Sequence, residues 1–348
     1  MNNLYKSKTY VSDLDVAIQH VVGIEKLKNK KLLITGASGT IGSFVTDVII
    51  RYNYVNSAGM VVYVAGRCVE NLKMSYKGFK EVTVLPYDLR SIIGFDVCID
   101  YIIHIAGNAH PAAFNGDPVG TIVDNINSTY NLLEYGRFHG TKRLLYVSSA
   151  EVYGQGDINV EEFEESYAGY LDLQSSRSCY PSSKRATENL CASYSKQYNF
   201  ETVIVRPCHT YGPHFTLTDN RASVQFIKNA LKGEDIVMNS AGTQMRSYSY
   251  IADCVSALLT VLIEGKSGEV YNIANPNSKI TIVGLAEIIA EVVGSKVIFA
   301  GPNVEDLANR TPITKQILSS KKIMALGWSG VYTVKKGIEH TLAILQGE

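Results

Sequence analysis

Short apolar runs alternate with longer amphipathic segments along most of this chain. The runs are rich in β-branched residues and almost continuously apolar, as strands buried on both faces of a parallel sheet are. They predict six strands, at 31–36, 60–66, 82–88, 101–107, 142–149 and 201–207. Between the strands, apolar residues recur every three or four positions and predict helices at 41–51, 120–139 and 181–198. This alternation is typical of a doubly wound α/β fold.

The pattern changes on both sides of this stretch. Residues 1–30 form an amphipathic lead before the first predicted strand. Beyond residue 208 the elements become shorter, with helices predicted at 222–232, 251–264, 281–293 and 333–346 and short strands at 235–239, 269–274 and 296–300. We therefore predict an N-terminal extension at 1–30, a first domain at 31–207, and a smaller C-terminal α/β lobe at 208–348. Some elements of that lobe are expected to return to the first domain.

Composition and charge narrow the class of protein. The chain has 348 residues, of which 46% are hydrophobic and 19% charged, so a packed core is expected. Its 33 basic and 33 acidic residues cancel, which removes the field that a general nucleic-acid or membrane-surface binder needs. The sequence has neither a signal-peptide pattern nor an uncharged apolar run of about 18 residues. We predict a cytoplasmic protein that binds neither nucleic acid nor membrane.

Six cysteines are scattered along the chain, and their spacing shows no C-x-x-C pair and no clustered histidines. They are Cys68, Cys98, Cys179, Cys191, Cys208 and Cys254. We predict buried free thiols in a reducing compartment and no metal site.

The first predicted strand runs into a glycine-rich turn, Gly36-Ala-Ser-Gly39-Thr-Ile-Gly42, and then into a helix. Glycines allow the backbone to approach a pyrophosphate, and the helix N-terminus offers it unpaired N–H groups. The spacing is G-x-x-G-x-x-G, so the stricter G-x-G-x-x-G pattern is not met. We predict a dinucleotide-binding Rossmann domain, with a doubly wound parallel sheet. The predicted contacts of the loop are Gly36, Ser38, Gly39, Thr40, Ile41 and Gly42.

The ends of the second and third strands bear on the choice of cofactor. A carboxylate at the end of the second strand would accept hydrogen bonds from a free ribose 2′-hydroxyl, as in NAD. Here Arg67 follows Gly66, and a guanidinium favours a 2′-phosphate, so NADP competes with NAD. The alternative is that Arg67 is a solvated loop cation. Asp88, followed by Leu89, is a candidate acceptor for the adenine amino group.

A tyrosine and a lysine lie four residues apart in Tyr180-Pro-Ser-Ser-Lys184, at the start of a predicted helix, and so share one helix face. A free tyrosine has a pKa of about 10, and a nearby ammonium together with a cationic nicotinamide can lower that pKa until the phenolate acts as a base. This spacing alone is common on surface helices. The strand end at 148–154, SSAEVYG, adds Ser149, whose hydroxyl can share a proton with Tyr180.

These motifs, with RPCHTYGP at 206–213, resemble the extended short-chain dehydrogenase/reductase family, in particular its NAD-dependent nucleotide-sugar epimerases, dehydratases and decarboxylases. The resemblance covers roughly residues 30–345. Within the family the chain is most similar to UDP-glucuronate decarboxylases, through HIAGNAHPAAFNGDPVGT, RSCYPSSKRATE, DNRASVQFIKNALKG and GTQMRSYSYIADCV. The resemblance implies a catalytic trio of Ser149, Tyr180 and Lys184, and Glu151 as a further catalytic residue.

The resemblance also implies ligand contacts, a substrate and an oligomeric state. The further cofactor contacts are Ala106, Asn125 and Pro207, in addition to Tyr180 and Lys184. The substrate contacts are Ser149, His209, Arg221, Gln225, Arg246 and Arg310. The implied substrate is a nucleotide-diphosphate sugar, with a UDP-sugar favoured, and the C-terminal lobe is its binding lobe. Family members pair through two helices, here 120–139 and 180–198, so a homodimer is expected.

Three positions depart from the family pattern. Ser128 stands where a glycine is usual, and the acid at the end of the second strand is missing. His209 stands where an asparagine often contacts the substrate diphosphate, the alternative being a core histidine. For each of the three arginines predicted to bind substrate, the alternative interpretation is that its side chain is only a charge on the protein surface. The substrate and the cofactor therefore stay open.

The reaction is narrowed by the residue that precedes Glu151. A 4,6-dehydratase needs an acid as well as a base after C4 oxidation, and its relatives supply an Asp-Glu pair where this chain has Ala150 and Glu151. A glucuronate decarboxylase needs a proton donor and cationic help, for which Glu151 and Arg310 match. Decarboxylation is favoured, with 4-epimerase, 4-keto reductase and 4,6-dehydratase as alternatives. A non-catalytic dinucleotide sensor is the alternative of another class, although such proteins usually lose the tyrosine or the lysine.

Overall fold

A seven-stranded parallel sheet forms the centre of the fold. The computed structural model describes residues 3–107, 109, 115–215, 219–301 and 313–348. The strands are β1 Lys31–Thr35, β2 Val61–Gly66, β3 Val82–Pro86, β4 Tyr101–His104, β5 Arg143–Val147, β6 Glu201–Pro207 and β10 Val270–Ile273. Their order is β10-β6-β5-β4-β1-β2-β3. The predicted doubly wound sheet is confirmed, and each of its six predicted strands is present.

Ten α-helices among the described residues flank or extend this sheet. They are α1 Lys8–Gln19, α2 Thr40–Asn56, α3 Val69–Ser75, α4 Pro118–Phe138, α5 Cys179–Tyr198, α6 Ala222–Leu231, α7 Ile251–Glu264, α8 Ile282–Val293, α9 Lys321–Met324 and α10 Val334–Gln346. Successive side chains of β1 alternate between two buried clusters, with Leu32 and Ile34 in one and Leu33 in the other. Both faces of the sheet are therefore covered, as the continuous apolar runs predicted.

A smaller sheet surrounds β9, Met245–Tyr250. Strand β9 pairs with β11, Lys279–Thr281, in antiparallel orientation. It pairs with β7, His209–Tyr211, and with β13, Lys315–Gln316, in parallel orientation. A separate parallel pair joins β8 Ile236–Met238 to β12 Val297–Phe299. Elements beyond residue 208 do return to the main sheet, because β10 pairs with β6. The limits 31–207 and 208–348 stay a prediction.

The N-terminal extension is part of the packed core. Tyr10, Leu14 and Ala17 of α1 are buried, and the helix packs against α2, α7 and α10. Within the described ranges, no helix combines the length and the apolar character that a membrane span requires.

The prediction of buried thiols is wrong for two of the six cysteines. Cys68 and Cys98 are exposed. Cys68 follows the end of β2, and Cys98 lies in the irregular segment between β3 and β4, so neither belongs to a packed element. The other four thiols are buried and free.

Candidate active site

The glycine-rich turn has the geometry that a pyrophosphate requires. Gly36 has φ +75°, and a Cβ there would lie 2.8 Å from the backbone nitrogen of Ala106 at the end of β4. A Cβ on Gly42 would collide with the carbonyl oxygen of Gly36. Helix α2 begins at Thr40, and its N-cap Gly39 has no side chain to accept from the first N–H groups. Those groups therefore fit a phosphate, and the turn fits a dinucleotide.

The residues predicted to contact the adenosine half lie at the carboxyl ends of β2 and β3. Arg67 is exposed directly beyond Gly66, and within the described ranges it makes no ion pair. Asp88 is half-buried, and its carboxylate accepts the backbone N–H of Arg90 at 2.9 Å. Leu89 lines a cavity of about 380 Å³. The third strand ends at Pro86 rather than at 88, which leaves Asp88 in the loop where ligands of such sheets bind.

Asn125 connects α4 to the helix that contains the Tyr–Lys motif. Its side-chain amide donates to the Ser183 hydroxyl at 3.0 Å, and that hydroxyl donates to the Tyr180 carbonyl at 2.9 Å. Ser128 is buried and lies 3.4 Å from Nε2 of His104, so α4 accommodates its hydroxyl.

Tyr180 and Ser149 meet between β5 and α5. Tyr180 lies in the first turn of α5 and is 4% exposed. Its hydroxyl forms a hydrogen bond with Ser149, the N-cap of the 3-10 turn Ala150–Tyr153 that follows β5. The Ser149 hydroxyl also accepts the N–H of Glu151 at 3.2 Å. The structure therefore brings together the two hydroxyl groups that the motifs predicted as partners.

Burial and charged neighbours determine the pKa of Tyr180 in the protein alone. Burial raises the pKa of Tyr180 above its ordinary value, and the Glu151 carboxylate raises it further. The hydrogen bond from Ser149 and the guanidinium groups of Arg221 and Arg177 lower it by less. In the protein alone, desolvation outweighs the neighbouring cations, so the pKa of Tyr180 stays raised. The lowered pKa expected with a cationic nicotinamide beside the ring stays a prediction.

Lys184 lies one helical turn beyond Tyr180 and is also buried. Its ammonium donates to the carbonyl oxygen of Val147 at 2.9 Å and lies 5.7 Å from the centroid of the Tyr180 ring. Burial lowers the pKa of Lys184 to about 8, although Glu188 acts in the opposite direction. The lysine is thus anchored to the end of β5, beside the tyrosine.

Glu151 is held by an arginine that the sequence analysis did not identify. Arg177 lies in the 3-10 turn Ser176–Ser178, directly before α5. Its Nη1 and Nη2 each donate to one oxygen of the Glu151 carboxylate, both at 2.9 Å. The pair is bidentate and about four-fifths buried, with side-chain exposures of 22% and 21%. Such a pair fixes both the position and the orientation of a carboxylate, here beside Tyr180.

A second arginine fixes the turn that contains Ser149 and Glu151. Arg185, next to Lys184 in α5, donates to the carbonyl oxygen of Val152 at 2.6 Å and to that of Gly169 at 2.8 Å. Because both arginines belong to the segment of the Tyr–Lys motif, the turn and the motif are held as one unit.

His209 lies in β7 and experiences the charges of Arg246 and Arg221, two of the three arginines predicted to bind substrate. Its ring centroid is 5.3 Å from that of Tyr248, and its imidazole hydrogen-bonds Gln316. Burial, together with Arg246 and Arg221, lowers the pKa of His209 to about 3, so the imidazole is neutral. The side-chain amide of Gln316 donates to the Ala150 carbonyl oxygen at 3.0 Å, which connects the surroundings of His209 to the 3-10 turn Ala150–Tyr153.

The remaining predicted substrate residues differ in their surroundings. Arg221, at the start of α6, is paired with Asp219 at 2.6 Å. Arg246 is buried in β9 and donates to the Ile313 carbonyl at 2.6 Å. Gln225 is exposed on α6 and donates to Asn229. Arg310 lies outside the described residues.

Comparison with known proteins agrees with these motifs. Residues 32–274 match the NAD dependent epimerase/dehydratase family. UDP-glucuronic acid decarboxylase 6 of Arabidopsis thaliana is 33% identical over 314 residues, which cover 89% of this chain and 87% of the relative. UDP-glucuronic acid decarboxylase 1 of Xenopus tropicalis is 29% identical over 324 residues, covering 92% and 73%.

Solved structures with the same fold include two nucleotide-sugar enzymes. One is a dTDP-glucose 4,6-dehydratase from Streptomyces venezuelae with NAD and TYD bound, with a TM-score of 0.76, 22% identity, and coverage of 91% of this chain and 97% of the other. The second is a UDP-glucose 4-epimerase from Thermotoga maritima with UDP-glucose, with a TM-score of 0.74, 22% identity, and coverage of 91% and 98%. At this identity the likeness describes the fold, which is the predicted one.

Proposed function

Since this chain belongs to the NAD dependent epimerase/dehydratase family, we propose that it decarboxylates a UDP-linked uronic acid by transient oxidation at C4 of the sugar. The observation that supports this reaction is the Glu151 carboxylate, held bidentately by Arg177 beside Tyr180. A C4 oxidation by itself needs only the serine, the tyrosine and the lysine. A fixed carboxylate beside them suits a reaction that also forms or breaks a bond at C5.

The first step removes the proton of the 4-hydroxyl and a hydride from C4. NAD, which the glycine-rich turn would hold, would supply the hydride acceptor for this oxidation and the hydride for the final reduction. Tyr180 takes the hydroxyl proton, and Ser149 orients the oxygen through its hydrogen bond to the tyrosine. A cation bound beside the buried ring lowers the pKa of Tyr180, because a Coulombic interaction is strong in a desolvated site.

The second step is loss of carbon dioxide. Once C4 is a ketone, the C6 carboxylate is that of a β-keto acid. The C5–C6 bond breaks, carbon dioxide leaves, and the electron pair becomes an enolate between C5 and the C4 oxygen. Glu151 orients the water that protonates C5, and Arg177 holds Glu151 in place. The hydride then returns to C4, and Tyr180 gives its proton back to the oxygen.

Three residues of the smaller sheet and its surroundings support a diphosphate site. Arg221 and Arg246 provide guanidinium groups, which suit phosphate geometry. His209, neutral between them, adds a hydrogen-bond donor without a further buried charge. Arg310 stays a predicted ligand.

A homodimer is also proposed. Helices α4 and α5 pack on each other and expose large apolar side chains, including Val119, Val123, Tyr130 and Tyr198. Such a surface, if left in water, favours association with a second copy. Sedimentation at twice the chain mass is the expected result.

The function is tested by incubating the protein with a panel of nucleotide-sugars and NAD, followed by mass spectrometry. Loss of carbon dioxide from UDP-glucuronate supports the proposal. Loss of water from a UDP-hexose indicates a dehydratase instead, and an isomer of unchanged mass indicates an epimerase.

Glu151→Gln tests the second step. The variant keeps the shape of the side chain and loses its charge, so the first oxidation should still produce absorbance from reduced nicotinamide. Completion of the cycle should slow by roughly 100-fold, the scale of a lost acid–base group. Glu162→Gln, which breaks an ion pair with Lys279, is the control. Near wild-type turnover by Glu151→Gln would contradict decarboxylation through this residue.

A further inference from the structure

The N-terminal extension contacts the segment that leads to the proposed diphosphate site. The family match begins at residue 32, so the 3-10 turn Asn3–Lys6 and α1 lie outside it. Tyr10 of α1 is nonetheless completely buried, in contact with Phe44 of α2. Side chains of an added segment that enter the core in this way are positioned as firmly as those of the domain itself.

Tyr10 joins two elements through its hydroxyl group. The hydroxyl donates to the carboxylate of Asp47 in α2 at 2.5 Å. The same oxygen lies 2.7 Å from Nε2 of His214, just beyond β7. Burial lowers the pKa of His214 to about 4, so its imidazole is neutral and its Nε2–H donates to the tyrosine oxygen. The result is a directed chain of hydrogen bonds, from His214 to Tyr10 to Asp47.

The two elements that Tyr10 connects serve different halves of the proposed site. Asp47 is buried in the helix that starts at the glycine-rich turn. His214 lies three residues beyond Tyr211, the last residue of β7, and the Thr210 carbonyl oxygen of that strand accepts a hydrogen bond from Nη1 of Arg221 at 3.5 Å. The backbone before His214 is also confined, because a Cβ on Gly212 would lie 2.6 Å from the side chain of Ile251. The position of the His214 segment relative to α2 thus depends on the tyrosine hydroxyl.

We propose that Tyr10 is a positioning residue for substrate binding: it fixes, through Asp47 and His214, the end of β7, whose Thr210 carbonyl oxygen contacts Arg221, the proposed diphosphate ligand. This inference rests on the proposed function, because it takes Arg221 as a diphosphate ligand. It assigns to the N-terminal extension a role in the affinity for the nucleotide part of the substrate.

UDP is the probe, titrated calorimetrically into the full chain in the presence of NAD. Tyr10→Phe removes only the hydroxyl and should weaken UDP binding roughly tenfold, as loss of a buried hydrogen bond does. Its NAD affinity should be unchanged. His214→Gln keeps a donor at the Nε2 position and should bind UDP like the wild type, whereas His214→Leu should weaken it as Tyr10→Phe does.

Tyr332→Phe is the matched control, since Tyr332 also donates to a buried carboxylate, that of Asp13 in α1, at 2.6 Å. It should lose similar stability and keep its UDP affinity. Equal UDP affinities in Tyr10→Phe and Tyr332→Phe would overturn the inference. Arg221→Gln separates the two proposals: a loss of UDP affinity in Arg221→Gln but not in Tyr10→Phe refutes the positioning role alone. Unchanged affinity in Arg221→Gln refutes the diphosphate site itself.

Discussion

The groups around Tyr180 shift its pKa in opposite directions. Desolvation and the Glu151 carboxylate favour the neutral phenol, whereas Arg177, Arg221 and the Ser149 hydroxyl favour the phenolate. In the protein alone, the net effect raises the pKa of Tyr180, so its side chain is the neutral phenol. A tyrosine held in this way accepts a proton from a substrate oxygen only when further positive charge beside it stabilises the phenolate.

Replacing Tyr180 by Phe tests the proton-transfer role, because the substitution removes only the phenolic hydroxyl group. Turnover should fall by about two or more orders of magnitude, the scale of a lost general acid–base group. NAD affinity should stay nearly the same, because the ring and its packing remain. Steady-state kinetics and a cofactor titration measure the two effects. Turnover close to that of the wild type would remove Tyr180 from the mechanism.

Arg67 is the residue on which the choice between NAD and NADP depends. Its guanidinium is exposed at the end of β2, and no described residue pairs with it, so it is available to a 2′-phosphate. Arg67→Ala should weaken NADP binding by about 1.5–3 kcal/mol, the usual contribution of a hydrogen bond to a charged group, with little change for NAD. Calorimetry with each cofactor measures both. If Arg67→Ala leaves the NADP affinity as it was, the arginine is only a solvated cation.

The sequence identified the Tyr–Lys pair because four-residue spacing on a helix places two side chains together whatever the fold. It did not identify Arg177, although that residue stands three positions before Tyr180. The partner of Arg177 is 26 residues away in the chain, and their meeting depends on how the turn after β5 approaches α5. Gln316 was still harder to predict as a site residue, because it lies in a strand of only two residues, too short for a recognisable sequence pattern.

At the scale of elements, the site depends on one turn and one helix. The 3-10 turn Ala150–Tyr153 presents Ser149 and Glu151, and α5 presents Tyr180 and Lys184. Arg185 of α5 links them directly through its hydrogen bond to the carbonyl oxygen of Val152, and its second hydrogen bond reaches Gly169, outside the turn. The relative position of the two elements decides whether the serine and tyrosine hydroxyls meet.

Arg185→Met should loosen this link while keeping the aliphatic part of the side chain. We expect kcat to fall roughly tenfold or more, since small displacements of reacting groups are costly, with NAD affinity nearly unchanged. Arg51→Met is the matched control, because Arg51 also donates two hydrogen bonds, to Asp15, at 2.8 and 2.9 Å. An equal effect on kcat in both variants would show that general destabilisation is the cause.

The long parallel strands were predictable because both faces are apolar, whereas the smaller sheet was not. Strand β9 has the sequence Met-Arg-Ser-Tyr-Ser-Tyr, and five of its six residues are buried despite their polar groups. Its serines and tyrosines are satisfied by distant partners, such as Asp13 for Tyr250. The periodicity of hydrophobic residues does not predict such contacts between polar side chains that are distant in the chain. The part of the fold closest to the proposed substrate site was therefore the least visible in the sequence.

At the scale of the whole molecule, buried histidines make stability depend on pH. Burial lowers the pKa of His104 and His209 to about 3, and that of His214 to about 4, from an ordinary value of 6.5. Between pH 6.5 and 4 the unfolded chain binds these three protons and the folded protein does not, so stability falls as the pH falls. Asp47 opposes this: its pKa is raised to about 7 by burial, so only the folded state holds its proton.

Three histidines, opposed by Asp47 and by Asp253, whose pKa burial also raises, predict a net loss of stability from pH 6.5 to 4.5. The slope is about 1.4 kcal/mol per pH unit for each unbalanced group. Urea unfolding at several pH values measures the slope. His214→Gln removes one titrating group and should show a shallower slope than the wild type. An unchanged slope in that variant would mean that the His214 imidazole is not among the protons taken up on unfolding.

Helices α1 and α10 pack together, and the hydroxyl of Ser7 donates to the carbonyl oxygen of Glu348 at 2.6 Å, across a separation of 341 residues. On the ribosome, the residues of α1 emerge long before those of α10. The apolar face that includes Tyr10 and Leu14 therefore cannot complete its native packing while the intervening chain is being synthesised. Because synthesis proceeds in one direction, this fold can close only after the residues of α10 have emerged.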